Sequence, residues 1–235
     1  MNNFTSMVLR EALKIAILLV VLALAELLLV TYSIPSKMLV AANKTIRNVN
    51  KIIVYSSCAR IIVGTSSVGE PRVVLYQYGL GRCLLDVLER RGTAIIRVRR
   101  AEPPFFTRCD LHITLPRGYK LNALELNLAY SSCTISELSV KNLRVGLRYS
   151  SARASVLART FTVEASYSSL SCTLNNPKSI TIVASHSSVT LNIRGNVSLV
   201  ISSLKASTIN SHGCGSGAPL KIVAQYSSVQ VYCRR

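Results

Sequence analysis

The stretch "VEASYSSLSCTLNN" (Val163–Asn176) decides how the whole chain reads, because its central Tyr167-Ser168-Ser169 keeps returning. An aromatic residue or His followed by Ser-Ser also stands at Tyr130, Tyr149, His186 and Tyr226. Tyr130, Tyr149, Tyr167 and His186 are spaced 19, 18 and 19 residues apart. Ile201 precedes "SSLKAS", a degenerate copy 15 residues after His186, and Tyr226 follows His186 by 40, close to two periods. Within each unit one strand pattern begins at Ser-Ser ("SSLSCTL", "SSVTLNI", "SSVQVYC"), and another precedes the next marker ("FTVEAS", "ITIVAS", "LKIVAQ"). Two short alternating strands per period of about 19 residues predict an all-β fold, a β-solenoid or a stacked β-strand array. A single coil of that size cannot bury its apolar face; the next coil stacked on it makes the core continuous.

Stacking places residues of one phase about 4.8 Å above one another. Small serines suit a corner, where a hydroxyl can satisfy a backbone group that the bend leaves unpaired. Tyrosines at that phase are expected to stack with their hydroxyls in water. On this reading Tyr130, Tyr149, Tyr167, His186 and Tyr226 are structural phase markers. A nucleophilic serine would need a base and an orienting acid. The chain offers only His112, His186 and His212 with Asp86 and Asp110, and no G-x-S-x-G turn. A feature in five copies is a structural device, so a non-enzymatic protein is expected. Carboxylate pairs for glycoside chemistry would have to come from Glu70, Glu89, Glu102, Glu125, Glu137, Glu164 and the two Asp, none in a recognisable setting. "SHGC" (Ser211–Cys214) is a weak metal pattern, and neither metal nor cofactor is expected.

The 235 residues are 49% hydrophobic, enough to build a real core. The 28 Lys and Arg against 10 Asp and Glu leave a formal charge of +18, which favours polyanionic neighbours such as lipid headgroups or acidic glycans. Nucleic acid is not an expected partner, since no recognition motif is present and the basic residues are scattered singly. Few Gln and Asp beside many Arg, Val and Ile give a thermophile-like composition. Seven cysteines lie at 58, 83, 109, 133, 172, 214 and 233 with no C-x-x-C. Most read as small buried hydrophobes, disulfides are open in an oxidising compartment, and Cys214 and Cys233 stand out.

"IAILLVVLALAELLLVTYSI" (Ile15–Ile34) is long enough at 1.5 Å per residue to span a bilayer core of roughly 30 Å. It reads as an uncleaved single-pass transmembrane signal anchor behind an N-terminal tail, 1–14; cleavage near Ala41-Ala42 is the alternative. Glu26 is the intramembrane polar residue, a partner contact or a protonation site, or a passenger. Residues 35–51 read as a linker and 52–235 as the β-strand-repeat domain. Lys37, Lys44, Arg47 and Lys51 lean towards a cytoplasmic domain, whereas the cysteines and two candidate glycosylation acceptors, Asn43 and Asn196, lean outward. The extracytoplasmic side of the cell membrane is the expected location.

"DLHITLPRGYKLNALELNLAYSSCTISELSVKNLRVGLRYSSARAS" (Asp110–Ser155) carries a family resemblance. With its Leu115-Pro116-Arg117-Gly118 turn leading into serial coils, it resembles the putative-adhesin family of β-strand-repeat domains of unknown function, similar to head-GIN domains. Ser-Ser stands where that family often has Ser-Gly. The resemblance implies a right-handed β-helix-like solenoid at a membrane or cell surface, with no catalytic residues to carry over. The leading expectation is therefore a non-enzymatic, membrane-anchored envelope protein with an adhesin-like binding or scaffolding domain. Its expected partners are membrane lipid, an anionic surface polymer or glycan, and further copies through the solenoid ends. The alternative is a cytoplasm-facing, membrane-tethered β-helix that self-assembles as bactofilin-like scaffolds do. The last strand, ending in Arg234-Arg235, is expected to be the open end of the stack.

Overall fold

The computed structural model describes residues 14–24, 38–79, 81–101 and 107–234, except the side chain of Leu204. The chain divides into two units, residues 1–37 and Met38–Arg235. In the first, a helix over 14–24, α1, follows from a run of Ala and Leu, strong helix formers. Its Ile15, Leu18 and Leu22 are each more than half exposed. Among the described residues no helix is long and apolar enough to cross a membrane. The rest of the expected span, 25–34 with Glu26, lies outside the described residues.

The second unit is all-β, with 17 strands in one hydrogen-bonded sheet. Eight precede Tyr130: β1 (Leu39–Thr45), β2 (Lys51–Ser57), β3 (Ala59–Ser66), β4 (Arg72–Gly79), β5 (Cys83–Arg90), β6 (Thr93–Arg100), β7 (Thr107–Pro116) and β8 (Leu121–Ala129). The repeating part holds β9 (Ser132–Arg148), β10 (Ser151–Ser166), β11 (Ser169–Asn175), β12 (Ser179–Ser185), β13 (Ser188–Arg194), β14 (Val197–Lys205), β15 (Thr208–His212), β16 (Ala218–Gln225) and β17 (Ser228–Arg234). Strands that lead into a corner form one parallel ladder, β6-β2-β8-β9-β10-β12-β16-β14. Strands that leave it form the other, β7-β3-β9-β10-β11-β13-β17-β15. The long β9 and β10 run through both, so the sheet is unclosed and solenoid-like.

Alternation along each strand turns one face inward. Phe161, Ile180 and Leu220 lie in register, as do Leu170, Val189 and Val229, and all six are at most 3% exposed. Burial of each such side chain stabilises by about 1.5–3 kcal/mol.

Three features differ from the sequence reading. Residues 35–51 contain β1, which pairs antiparallel with β4; β4 in turn pairs antiparallel with β7, and β5 with β6. Antiparallel strands thus cover the N-terminal end of the stack. The degenerate coil has its corner at Ala206, not Ile201, which makes the last two spacings 20 and 20. The coils, finally, do not stack in chain order. The chain's last coil, β16 and β17, lies between β12/β13 and β14/β15.

The physical reason lies in polarity. Leu220, Ile222, Ala224, Val229 and Val231 are at most 2% exposed, whereas the five residues of β15, "TINSH", are exposed or half-buried. The more polar coil closes the end, as a terminal repeat should. The return loop needs glycine: a Cβ on Gly217 would lie 2.2 Å from the Asn196 carbonyl oxygen, and one on Gly213 2.5 Å from that of Cys233.

Candidate functional site: a ring column beside a basic groove

Every corner is built on one residue in the left-handed region. Cys58, Tyr130, Tyr149, Tyr167, His186, Ala206 and Tyr226 have φ between 46° and 60°. That conformation is costly for residues other than glycine, and the hydrogen bonds of the stack offset it. The marker N–H donates to a carbonyl of the next coil, from Tyr130 to Arg148 at 3.0 Å through Tyr226 to Lys205 at 2.9 Å.

The serine after each marker turns inward. Ser131, Ser150, Ser168, Ser187 and Ser227 are 6–8% exposed. Each hydroxyl donates back across the corner to the carbonyl two residues earlier, as Ser168 Oγ does to Ser166 O at 2.7 Å. The hydroxyls of Ser150, Ser168, Ser187, Ser227 and Ser207 accept the backbone N–H of Ser131, Ser150, Ser168, Ser187 and Ser227 in turn, all at 3.1 Å, and Ser131 Oγ accepts the Ala59 N–H at 3.2 Å. The bend interrupts the backbone ladder at this point, and the hydroxyl replaces the missing carbonyl. These serines are committed twice over to the backbone and are not nucleophiles in waiting.

The markers themselves turn outward and stack. Centroid separations are 5.1 Å for Tyr130–Tyr149, 5.1 Å for Tyr149–Tyr167, 4.7 Å for Tyr167–His186 and 5.0 Å for His186–Tyr226. The spacing is that of adjacent strands. At the Tyr226 end Lys205 Nζ lies 5.6 Å from the ring centroid. At the other end Tyr130 is 60% exposed and faces the coil whose marker is Cys58, which has no ring.

A groove of about 1250 Å³ runs along this column and continues past Cys58 to Arg60, Arg100 and Arg108. Arg100 Nη2 donates to the Cys58 carbonyl at 3.3 Å. Arg108 is held by a two-point pair with the buried Asp110, Nε to Oδ1 and Nη2 to Oδ2, both 2.8 Å; that hydrogen bond raises the Arg108 pKa. A second groove, about 1140 Å³, lies over Tyr55, Leu84, Arg97, Asn127, Glu164 and Val183. Its carboxylates Asp86 and Glu164 are engaged, with Arg97 at 3.5 Å and with Arg144 at 2.7 Å, and Arg97 covers Tyr55 at 5.9 Å.

The remaining candidates are scattered. Glu125 pairs with Lys51, Glu70 with Arg47, and Glu89 accepts the Arg47 backbone N–H. Glu102 lies outside the described residues. His112 packs edge-on to Tyr76 and His212 stacks on Tyr232, so no two histidines share a site. Among the described residues no cluster of three metal-ligating side chains occurs. Asn43, in β1, and Asn196, before β14, are both exposed. Four cysteines form disulfides, Cys83–Cys109 and Cys214–Cys233. Cys58, Cys133 and Cys172 are free thiols, and burial pushes Cys133 and Cys172 up to about 12, which keeps them unreactive. The basic rim went unread in the sequence because Arg60, Arg100 and Arg108 are 40 and 8 residues apart and meet through the pairing of β3 with β7 and of β2 with β6.

No family model matches this chain, and no curated protein matches it. Three solved structures are similar to it. A putative cell adhesion protein from Clostridium sporogenes has 8% identity and a TM-score of 0.48, covering 85% of this chain and 100% of that one. A putative adhesin from Bacteroides fragilis has 12% identity and a TM-score of 0.42, with 86% and 99% covered. A putative adhesin from Parabacteroides distasonis has 10% identity and a TM-score of 0.35, with 84% and 98% covered. These neighbours are of the kind that the sequence resemblance named.

Proposed function

We propose that this protein is a non-enzymatic binding module of the cell envelope, whose stacked coils hold a basic groove and its ring column rigid against an anionic surface polymer. The observation that carries the reading is the groove itself: one wall of exposed tyrosines, and at one end three arginines with, among the described residues, one carboxylate, Asp110. Tyrosine offers hydrogen-bonding hydroxyls and little conformational entropy to lose. Arginine suits carboxylates and phosphates through its planar fork. Two disulfides support placement of the domain on the oxidising side of the membrane. The apolar run Ile15–Ile34 supports attachment to that membrane.

The test is titration of the full chain, in detergent, with polygalacturonate and with an uncharged dextran. Saturable binding of the first alone, weakening as salt screens the charges, is the expected result. Equal binding of both, or of neither, overturns the reading. A cytoplasmic self-assembling scaffold has one observation in its favour: Val200 and Ile201 on the outer strand β14 are 48% and 47% exposed. Sedimentation across a concentration series separates the two, since an end-stacking scaffold grows with concentration and a binding module does not.

A further inference from the structure

The ring column is closed at one end and open at the other. We infer that the open end, the notch above Cys58 bounded by the free face of Tyr130 and by Arg60, Arg100 and Arg108, is the subsite for one uronate ring of an acidic polysaccharide. This rests on the reading of the groove as a polyanion site and names the chemistry at its head. Tyr130 stacks on Tyr149 through one face, and among the described residues no ring or cation covers the other. The neighbouring corner places Cys58 where five other corners place a ring, so among the described residues no side chain fills a slot one strand spacing deep. A pyranose ring lying in that slot would continue the stack, its C–H face against Tyr130.

The charge around the slot sets the class of sugar. Arg100 is tied to the floor through the Cys58 carbonyl, and Arg108 is fixed by Asp110. Arg60 is exposed, lies in register with Asp110 on β7 and Ser132 on β9, and makes no ion pair among the described residues. A carboxylate on the ring would be met by the Arg60 fork. Single-stranded nucleic acid calls for a succession of open aromatic faces. Among the described residues of the groove only Tyr130 offers one, and the other rings present edges and hydroxyls, which suit sugar hydroxyls.

The experiment is calorimetric titration of the full chain with tetragalacturonate, with maltotetraose and a twelve-residue thymidine oligonucleotide as comparisons. Four variants accompany it: Cys58→Tyr, Tyr130→Ala, Arg60→Gln and Tyr232→Ala. Cys58→Tyr puts a ring into the slot at a backbone angle that Tyr already adopts at four other corners. It should therefore block the site while keeping the melting temperature. Tyr130→Ala and Arg60→Gln alter exposed side chains only. These three should each weaken tetragalacturonate by at least about tenfold, and Tyr232→Ala, outside the groove, should leave it unchanged. If tetragalacturonate binds and these three variants bind it as the parent does, the notch assignment is overturned while the broader polyanion reading stands. If no anionic saccharide binds at all, both fall. Tighter binding of the oligonucleotide, lost in the same three variants, would overturn the class of ligand.

Discussion

Residues 130–234 and residues 38–129 build the same stack by different means. In the first region most core positions have a like residue above and below it, and stability is held in columns: apolar pairs inside, Ser150-Ser168-Ser187 at the corner, the rings outside. In the second, antiparallel strands are added to the parallel coils and the contacts are individual. Arg108 grips Asp110 and lies over Tyr78 at 5.4 Å, and the Tyr119 hydroxyl donates to the Val49 carbonyl at 2.5 Å. A column tolerates replacement of one member by another of its kind, while an individual contact does not. The repeating region therefore serves as a scaffold, and the irregular one supplies what distinguishes this chain, including the arginines at the head of the groove.

The two disulfides allow a direct comparison, one in each region. Their sequence separations, 26 and 19, are close enough that chain entropy assigns each about 3 kcal/mol. They differ in surroundings: Cys83 and Cys109 are 7% and 1% exposed, whereas Cys214 and Cys233 are half-buried. Replacing Cys83 and Cys109 together by Ala should cost about 1 kcal/mol more than replacing Cys214 and Cys233, because a packed site is emptied as well. Urea denaturation of the two double variants measures this. Equal losses would show that the irregular region depends on its crosslink alone and not on the packing around it.

Neighbouring residues of one corner provide a smaller contrast. Ser168→Ala removes the donor to Ser166 O and the acceptor of the Ser150 N–H in a buried setting, which should cost about 2 kcal/mol or more. Tyr167→Ala, one position earlier but half exposed, gives up two ring contacts and should cost about 1 kcal/mol. Ser168→Thr, which keeps the hydroxyl, should recover part of the first loss. Thermal melts rank the three, and a larger loss at Tyr167 than at Ser168 would mean that the exposed column, not the buried one, holds the corner.

How far the sequence was legible follows the same division. Rings at a fixed phase are visible in a string of letters, so Tyr130 through Tyr226 mark corners without coordinates. Ala206 occupies the same φ as its neighbours but has no ring to announce it, and the periodicity drifted to Ile201. The phase of a coil also says nothing about which coil it stacks on. Insertion of β16 and β17 next to β12 and β13 is decided by relative polarity, which the strand pattern alone does not rank. In residues 38–129 strand patterns such as "RVVLYQYG" and "TAIIRVRR" coincide with β4 and β6; β6 pairs antiparallel with β5 through the local Arg91-Gly92 turn, whereas the pairing of β4 with β7 joins strands remote in sequence. The linker reading failed at β1 because "LVAANKT" is short, uniformly exposed apart from Ala42, and shows no alternation. Cys214 and Cys233 stood out individually, but only the loop bounded by Gly213 and Gly217 brings them together.

The smallest expected effect separates the two regions by pH. His112 sits on β7 in the irregular region, edge-on to Tyr76 at 4.8 Å, with Ile62 and Val74 as its cross-strand neighbours. Burial lowers its pKa below the ordinary 6.5; nearby Asp110 opposes that shift and Arg60 adds to it. The unfolded chain therefore binds this proton more readily than the folded one, so His112 costs nothing above about pH 6.5 and destabilises as the pH falls below it. His186, in contrast, stands exposed in the ring column with Ser185 Oγ 3.1 Å from its Nδ1. Melting curves at pH 7.5 and 5.5 should show His112→Gln losing less stability on acidification than the parent, by no more than about 2 °C since the group is partly solvated. If His112→Gln loses as much stability on acidification as the parent, the packed environment assigned to β7 is wrong.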